Sequence, residues 1–286
     1  MNTITLQHAL HKAQHQGLAR IDAQMLLLHA LGRSDADRAW LLIHDQDPLS
    51  ASQWLHFQQL CVQRSDGIPV AYLTGHKEFF GLSLHIDARV LDPRPDTETL
   101  VEWALDILPH CNIPSPPCIA DLGTGSGAIA LALQHHCPHA HILAIDASAA
   151  ALEVARANAH SLQLPVQWMQ SDWLAQVPLV ESGNFDLIVS NPPYIREDDP
   201  HLSALQHEPR SALTSGNDGL EDIRTIIAQA PAHLKKNGWL LMEHGWDQGQ
   251  SVRHLLQTAG FKQVCSRQDL SGTERCTGGQ WPAARA

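Results

Sequence analysis

From Cys118 onward the sequence keeps a strand–helix–strand rhythm that few architectures can accommodate. Ile119-Ala-Asp-Leu reads as a strand, Ala128–His135 as a helix stopped near Pro138, and His141–Ile145 as a second strand. Ala147–Ala159 reads as a helix, and Val166–Gln170 and Phe185–Ser190 as further strands. A helix over Glu221–Leu234, a strand over Trp239–Glu243 and a helix over Gln250–Ala259 follow. Lys262–Asp269 and Glu274–Trp281 are expected to pair as the last two strands. Parallel strands need crossover connections, and helices supply them. The expected fold is therefore α/β, a mostly parallel sheet with helices on both faces. Ligands in such sheets bind beyond the carboxyl ends of the strands.

The first part of the chain has a different rhythm. Leu26, Leu27, Leu28 and Leu31 cluster within Ile21–Leu31, and Leu41, Leu42 and Ile43 lie in a short helix ending before Pro48. Ser50, followed by Gln53, fits a capping box ahead of Trp54, Leu55, Phe57 and Leu60. Such short helices are marginal alone, so they should pack together. The expected partition is a helical domain over residues 1–73, a β-hairpin linker over 74–95 with Gly81 at its turn, and the α/β domain over 96–286. Pro93 and Pro95 stiffen the entry to a helix from Thr97 to Leu108, and the proline-rich Cys111–Cys118 reads as a surface loop.

Composition removes several classes of function. The 286 residues carry 19 basic and 30 acidic side chains, a formal net charge of −11. That balance opposes a protein that grips bare nucleic acid. The six cysteines form no CxxC and frame no small disulfide fold, so a reducing compartment is expected. No apolar run is long enough for a membrane span, and the N-terminus lacks a signal-peptide pattern. A cytoplasmic location and a monomer are expected. The run His135-His-Cys-Pro-His-Ala-His141 straddles a helix end, a turn and a strand start, with no second cluster to close a metal site. It reads as a solvated surface, and no metal is assigned.

Two loops carry the chemistry. Asp121-Leu-Gly-Thr-Gly-Ser-Gly127 joins the first strand of the rhythm to its helix, with Gly123 and Gly125 allowing backbone to approach a ligand. Asp146 ends the next strand, where a carboxylate can accept ribose hydroxyls. A dinucleotide fingerprint would place its third glycine at position 128, which is alanine here. A smaller nucleoside fits better, and S-adenosylmethionine has no phosphates to cradle. Asp121 is expected to pair with its ammonium group, Asp172 to reach the adenine amine and Trp173 to cover the ring. The second loop, Asn191-Pro-Pro-Tyr194, follows the apolar strand Phe185–Ser190. Asn191 offers a carbonyl, Pro192 and Pro193 offer carbonyls without competing N–H groups, and Tyr194 offers a flat ring. Such a loop can hold a planar NH2 by its hydrogens and leave the nitrogen face open.

Taken together, these segments resemble the protein-(glutamine-N5) methyltransferases that modify peptide chain release factors. The resemblance spans the chain and is carried by Pro69-Val-Ala-Tyr-Leu-Thr-Gly-His-Lys-Glu-Phe79, Pro93-Arg-Pro-Asp-Thr-Glu98, Asp121–Gly127, Asn191–Ile195 and Glu208-Pro-Arg-Ser-Ala-Leu213. It implies a seven-stranded class I methyltransferase sheet, of Rossmann-like kind, behind the helical domain. It implies S-adenosylmethionine as cofactor, S-adenosylhomocysteine as product, and as substrate the glutamine of the Gly-Gly-Gln tip of class 1 release factors. By the same resemblance Gly123, Thr124, Gly125, Ser126, Gly127, Asp146 and Trp173 would hold the cofactor. Asn191 would serve cofactor and substrate, Asn191–Tyr194 would hold the glutamine, and the 1–73 domain would contact the factor. Relatives often carry Val where Cys276 stands, a small change.

The chemistry expected of Asn191, Pro192 and Tyr194 is alignment. The Asn191 side-chain carbonyl and the Pro192 backbone carbonyl would accept the two amide hydrogens, and Tyr194 would stack on the amide. Glu208 and Arg210 would shape the cleft or form a surface pair. Glu98 would line the mouth or cap a helix. Glu243 would be a supporting residue or simply surface, and Met242 core. Gly278-Gly279-Gln280 copies the presumed substrate motif but reads as strand. Two rivals remain at this level. One is adenine N6 methylation of DNA or RNA, which must also extrude a base and grip phosphates. The other is a cofactor-binding module that recognises a translation factor without modifying it.

Overall fold

The computed structural model describes residues 4–108, 116–181 and 183–282. Of the Cys111–Cys118 segment expected as a surface loop, residues 111–115 lie outside these. The chain divides into two compact units, Met1–His76 with Ser203–His207, and Lys77–Leu202 with Glu208–Ala286.

The smaller unit is helical: α1 (Leu6–His15), α2 (Arg20–Ala30), α3 (Arg38–Ile43), α4 (Ala51–Ser65) and α5 (Val70–Thr74). Leu6, Leu26, Leu27, Leu28, Phe57 and Leu60 are buried together. The capping box at α4 is formed in both directions. Ser50 Oγ accepts from the Gln53 amide at 3.2 Å, and Gln53 Oε1 accepts from the Ser50 amide at 3.0 Å. Arg64 on α4 reaches Asp22 on α2 at 2.7 Å. Within this unit His207 Nε2 lies 2.9 Å from the Asp66 carbonyl, which ties the Ser203–His207 segment to it.

In the larger unit β1 (His76–Phe79) and β2 (Leu82–His85) form a hairpin. Phe80 and Gly81 at its turn have φ of 49° and 80°, the left-handed pair that suits the twist of a tight hairpin. Phenylalanine is an unusual residue in that conformation. Its amide is held by Glu98 Oε1 at 3.0 Å, so Glu98 spends its carboxylate on the hairpin while starting α6 (Glu98–Ile107).

Seven strands form the main sheet: β3 (Cys118–Leu122), β4 (His141–Asp146), β5 (Gln167–Gln170), β6 (Phe185–Ser190), β7 (Leu234–Glu243), β8 (Lys262–Gln268) and β9 (Glu274–Gln280). Their order is β5-β4-β3-β6-β7-β9-β8, with β9 antiparallel to both neighbours. The crossovers are α7 (Ala128–His136), α8 (Ala149–Leu162), α9 (Glu221–His233) and α10 (Gly249–Thr258). The central strands are apolar on both faces, with Ile119, Leu122, Ile145, Leu187, Ile188 and Leu240 buried. That is the burial a helix-covered parallel sheet requires. β7 reaches back to Leu234, earlier than the apolar run at Trp239–Glu243 suggests. Leu234 pairs with Phe185, and the register then slips around Asn237, which sits at φ 64°. Lysines and an asparagine hide this part of the strand from a hydrophobic pattern.

The order reverses between β3 and β6: β4 and β5 extend one way from β3, and β6 and β7 the other. The carboxyl ends of β3 and β6 therefore flank a crevice. Gly278 and Gly279 lie in β9, opposite Leu241 and Leu240, so the internal Gly-Gly-Gln is sheet. A Cβ on Gly278 would meet Leu241 Cδ2 at 2.4 Å and the Leu240 carbonyl at 2.8 Å. Gly278→Ala is expected to destabilise the fold by roughly 1–3 kcal/mol, the usual range for overpacking. Urea unfolding checks this; an unchanged midpoint would refute the packing role.

Candidate active site

A cavity of about 360 Å³ opens at the switch point, within the range of small-ligand sites. Gly123 and Gly125 of the loop after β3, Asp146 at the end of β4, Asp172 and Trp173 after β5, and Asn191 and Pro193 after β6 all face it. Four consecutive strand ends thus deliver side chains or backbone to one space.

The loop after β3 is built around Asp121. This carboxyl has no exposed surface; it accepts the Thr124 hydroxyl at 2.6 Å and the Ala130 amide at 3.1 Å through Oδ2. Its Oδ1 has no hydrogen-bond partner. Burial pushes the group up to about 7, against the pull of Thr124 and Ala130, and the Asp146 charge adds to the rise. Asp121 lies under the loop and does not line the cavity. Thr124, Ser126 and Gly127 are buried too. Thr124 anchors the loop to β4 through its amide and the Ile145 carbonyl at 2.9 Å, and the Ser126 carbonyl accepts Asn158 Nδ2 at 2.9 Å. Gly123 has φ 70°, and a Cβ there would sit 3.2 Å from the Trp173 ring, so this position needs glycine for both reasons.

Asp146 is held by its own surroundings. Oδ2 accepts the Gly125 amide at 2.9 Å and Oδ1 the Ser148 amide at 2.8 Å. Burial raises its pKa, and these two amides oppose the rise. Trp173 sits at φ 48°, and its indole N–H donates to Asp222 at 3.2 Å, which fixes the ring beside Gly123. Asp172 is exposed at the rim, with its amide held by Gln176 at 2.8 Å.

Beyond β6, Pro192 is buried and Asn191, Pro193 and Tyr194 are half-buried. Asn191 Nδ2 donates to Thr97 Oγ1 at 3.1 Å. The Tyr194 hydroxyl donates to Glu243 Oε1 at 3.2 Å, and burial together with Glu243 raises the phenol's pKa. Glu243 is wholly buried, so it is no surface residue; desolvation pushes it up to about 7, opposed by the Thr97 and Tyr194 hydroxyls and by Arg275. Met242 beside it is core. Glu208 is buried and accepts Arg94 at 2.5 Å and the Asp92 amide at 3.3 Å, while Arg210 is exposed, its guanidinium 3.5 Å from the Glu197 carbonyl and its own carbonyl accepting the Leu213 and Thr214 amides. The two therefore form no ion pair with each other. The expected candidates missed Val90, Pro209, Ser211 and Asp222, which also line the cavity. Asp222, in the first turn of α9, was readable only as a helix-start acid.

His136 lies at the end of α7 with Phe80 edge-on to its ring, and among the described residues no group of three His, Cys, Asp or Glu is placed to hold a metal.

The chain matches two family models, the methyltransferase small domain over residues 107–266 and the PrmC N-terminal domain over residues 5–75. It is 51% identical over 278 residues to a release factor glutamine methyltransferase of Xylella fastidiosa, covering 96% of this chain and 98% of that protein. It is 48% identical over 265 residues to the Bordetella pertussis protein of the same description, covering 92% and 95%. A crystal structure of a methyltransferase from Pyrococcus furiosus superposes with a TM-score of 0.53 at 18% identity, covering 77% of this chain and 99% of that one. At that identity the likeness concerns the fold.

Asp121 and Glu243 set a pH dependence of stability. Their folded pKa values, each about 7, lie above the ordinary 3.8 and 4.5, so the folded state binds protons more tightly. Their stabilising contribution is full below the ordinary values and is lost as pH rises through about 7. Buried His244 and His233, with lowered pKa values, act oppositely but only below about pH 6.5. The ligand-free protein is expected to lose thermal stability from about pH 6.5 to about pH 8, and Asp121→Asn to flatten that slope. A parallel slope in Asp121→Asn by calorimetry would contradict the assignment.

Proposed function

The chain belongs to the release factor glutamine methyltransferase family, and from that premise we propose how its cavity serves the reaction. The enzyme methylates the side-chain amide nitrogen, N5, of the glutamine in the Gly-Gly-Gln motif of class 1 peptide chain release factors. S-adenosylmethionine, when bound, supplies a methyl group on a positively charged sulfur. The observation that carries the site assignment is that Asn191 and Pro193 face the same cavity as Asp146 and Trp173.

The residues fit a cationic nucleoside. Asp146 sits at the strand end with its oxygens oriented by two amides, ready to accept hydroxyls. Trp173, pinned by Asp222, offers a flat apolar face. Asp121 has a buried oxygen without a hydrogen-bond partner and a pKa raised by burial, so a positive charge held nearby would favour its ionised form. It acts through the loop, because it does not line the cavity.

A glutamine side-chain nitrogen is a weak nucleophile because its lone pair is delocalised into the carbonyl. The protein's task is to orient that nitrogen and stabilise charge growing on it. The Asn191 carbonyl and the Pro192 backbone carbonyl accept its two hydrogens, and Pro192 brings no competing N–H. Tyr194 packs against the flat amide and excludes water. Alignment of this kind contributes several kcal/mol, up to about 7–11 in ideal cases, and preorganised acceptors add to it. A cytoplasmic location is part of the proposal, since that is where the reading places the substrate. Among the described residues no helix is long and apolar enough to cross a membrane.

Asn191→Ala is expected to lower the single-turnover rate by roughly 100-fold or more while changing cofactor affinity far less. Near-normal methyl transfer would reject the role. Asp146→Ala should chiefly weaken cofactor binding, and an unchanged dissociation constant by calorimetry would reject that one. The reaction itself is tested by incubating the protein with S-adenosylmethionine and a release factor, then locating the added methyl by fragment-ion mass spectrometry. One methyl on the tip glutamine is expected; its absence, or a methyl elsewhere, would overturn the reading.

A further inference from the structure

One buried side chain joins three segments around the substrate loop. Gln248, just ahead of α10, is buried. Its Oε1 accepts the Gly245 amide at 2.8 Å, which anchors it to the segment that follows β7. Its Nε2 donates to the Tyr194 carbonyl at 3.0 Å. The same nitrogen lies 3.3 Å from the Gly219 carbonyl and 3.4 Å from the Asp218 carbonyl, in the turn ahead of α9. Gly219, at φ 73°, comes so near the loop that a Cβ there would collide with the Tyr194 carbonyl and press on Gln248 Nε2. Gln248 does not line the cavity.

The partners fix which way the Gln248 amide points. A backbone N–H only donates and a carbonyl only accepts, so the oxygen must face Gly245 and the NH2 must face Tyr194. The 191–194 loop needs such a tether. Upstream, the Ser190 hydroxyl holds the Leu122 carbonyl at 2.8 Å, and downstream the Ile195 amide donates to the Leu213 carbonyl at 2.9 Å. Between these points Pro192 and Pro193 carry no N–H and cannot anchor themselves by donating. The Gln248–Tyr194 bond ties down the end of that stretch. The cofactor wall is held separately: the Asp222 amide donates to Ser215 Oγ at 2.8 Å, and its carboxylate keeps Trp173.

We propose that Gln248 is a positioning residue for methyl transfer. By holding the Tyr194 carbonyl it sets where the Asn191 and Pro192 carbonyls meet the substrate amide. The inference rests on the glutamine-methylation reading above.

The test is single-turnover kinetics on the full chain with S-adenosylmethionine and a release factor. Calorimetry with S-adenosylhomocysteine gives cofactor Kd and, from its stoichiometry, the folded fraction. Gln248→Met keeps the length of the side chain and loses the amide. Gln248→Glu keeps an acceptor for Gly245 but, ionised, has no proton for Tyr194. Each is expected to lower the rate per folded molecule roughly 10-fold or more, as a misplaced reacting group does. Cofactor Kd should stay within about threefold, since the interaction lost is one made in the reaction rather than in cofactor binding. The Asn191→Ala/Gln248→Met double variant should fall well short of the product of the two single losses, because Gln248 acts through the grip that Asn191→Ala has already weakened. Losses that multiply, a full rate in Gln248→Glu, or a rate loss matched by an equal loss of cofactor affinity would each overturn the proposal. If neither variant folds, the wild-type crystal structure with S-adenosylhomocysteine and a Gly-Gly-Gln peptide decides. The Gln248–Tyr194 bond should persist there, and a Tyr194 carbonyl released from Gln248 with the peptide in place would overturn the proposal. A wild-type protein that leaves the tip glutamine unmodified would instead remove the underlying reading.

Discussion

Everything in the site depends on the parallel register that brings β3, β4 and β6 to a common edge. Ile119–Leu122 pair with both Ile142–Ile145 and Leu187–Ser190, so the loops after these strands emerge side by side. Ser190 Oγ donates to the Leu122 carbonyl at 2.8 Å, a cross-strand tie just before Asn191 leaves the sheet. Strand pairing of this kind fixes the loops' starting points to within the tolerance of backbone hydrogen bonds. Alignment catalysis demands that tolerance, since small displacements of a reacting group are costly. A one-residue slip would turn every inward side chain outward.

Outside the two loops, much of the polar content braces them. The segment from Asp92 to Glu98 is the clearest case. Arg94 pairs with Glu208, Asp96 with Arg275, Thr97 with Asn191, and Glu98 with the Phe80 amide. Each of these joins the entry to α6 to a different element. Removing one partner of such a buried or half-buried pair leaves the other uncompensated, which costs more than the pair itself contributes. Segments with little chemistry of their own therefore hold the geometry of those that have it.

Much of this was legible in the residues. The apolar run marked β6 from Phe185 to Ser190 and the capping box marked the start of α4, because both depend on local sequence. The glycines around Gly123 and the Asn191–Tyr194 loop marked two segments whose residues line one cavity. What was not legible depends on distant contacts. Asp121 reads as a ligand-facing acid until packing shows it under the loop, bonded to Thr124 and Ala130. Glu243 reads equally as surface or support until β9 and Tyr194 close over it. Val90 reaches the cavity through a chain segment with no periodicity, so no local pattern marks it, and Ser211 lies in the Glu208–Leu213 motif, which says nothing of which of its residues face the cavity. The acidic balance and the shared methyltransferase fold leave the substrate to the loop chemistry, and the family relationship agrees with that chemistry.

The central claim is that a flat, uncharged amide is gripped by its hydrogens at residues 191–194, next to the cofactor cavity. A crystal structure of the protein with S-adenosylhomocysteine and a Gly-Gly-Gln peptide tests it most directly. The account predicts the glutamine nitrogen within hydrogen-bond distance of both Asn191 Oδ1 and the Pro192 carbonyl, with its open face turned toward the sulfur. A glutamine bound elsewhere, or one presenting its carbonyl oxygen to the sulfur, would contradict it.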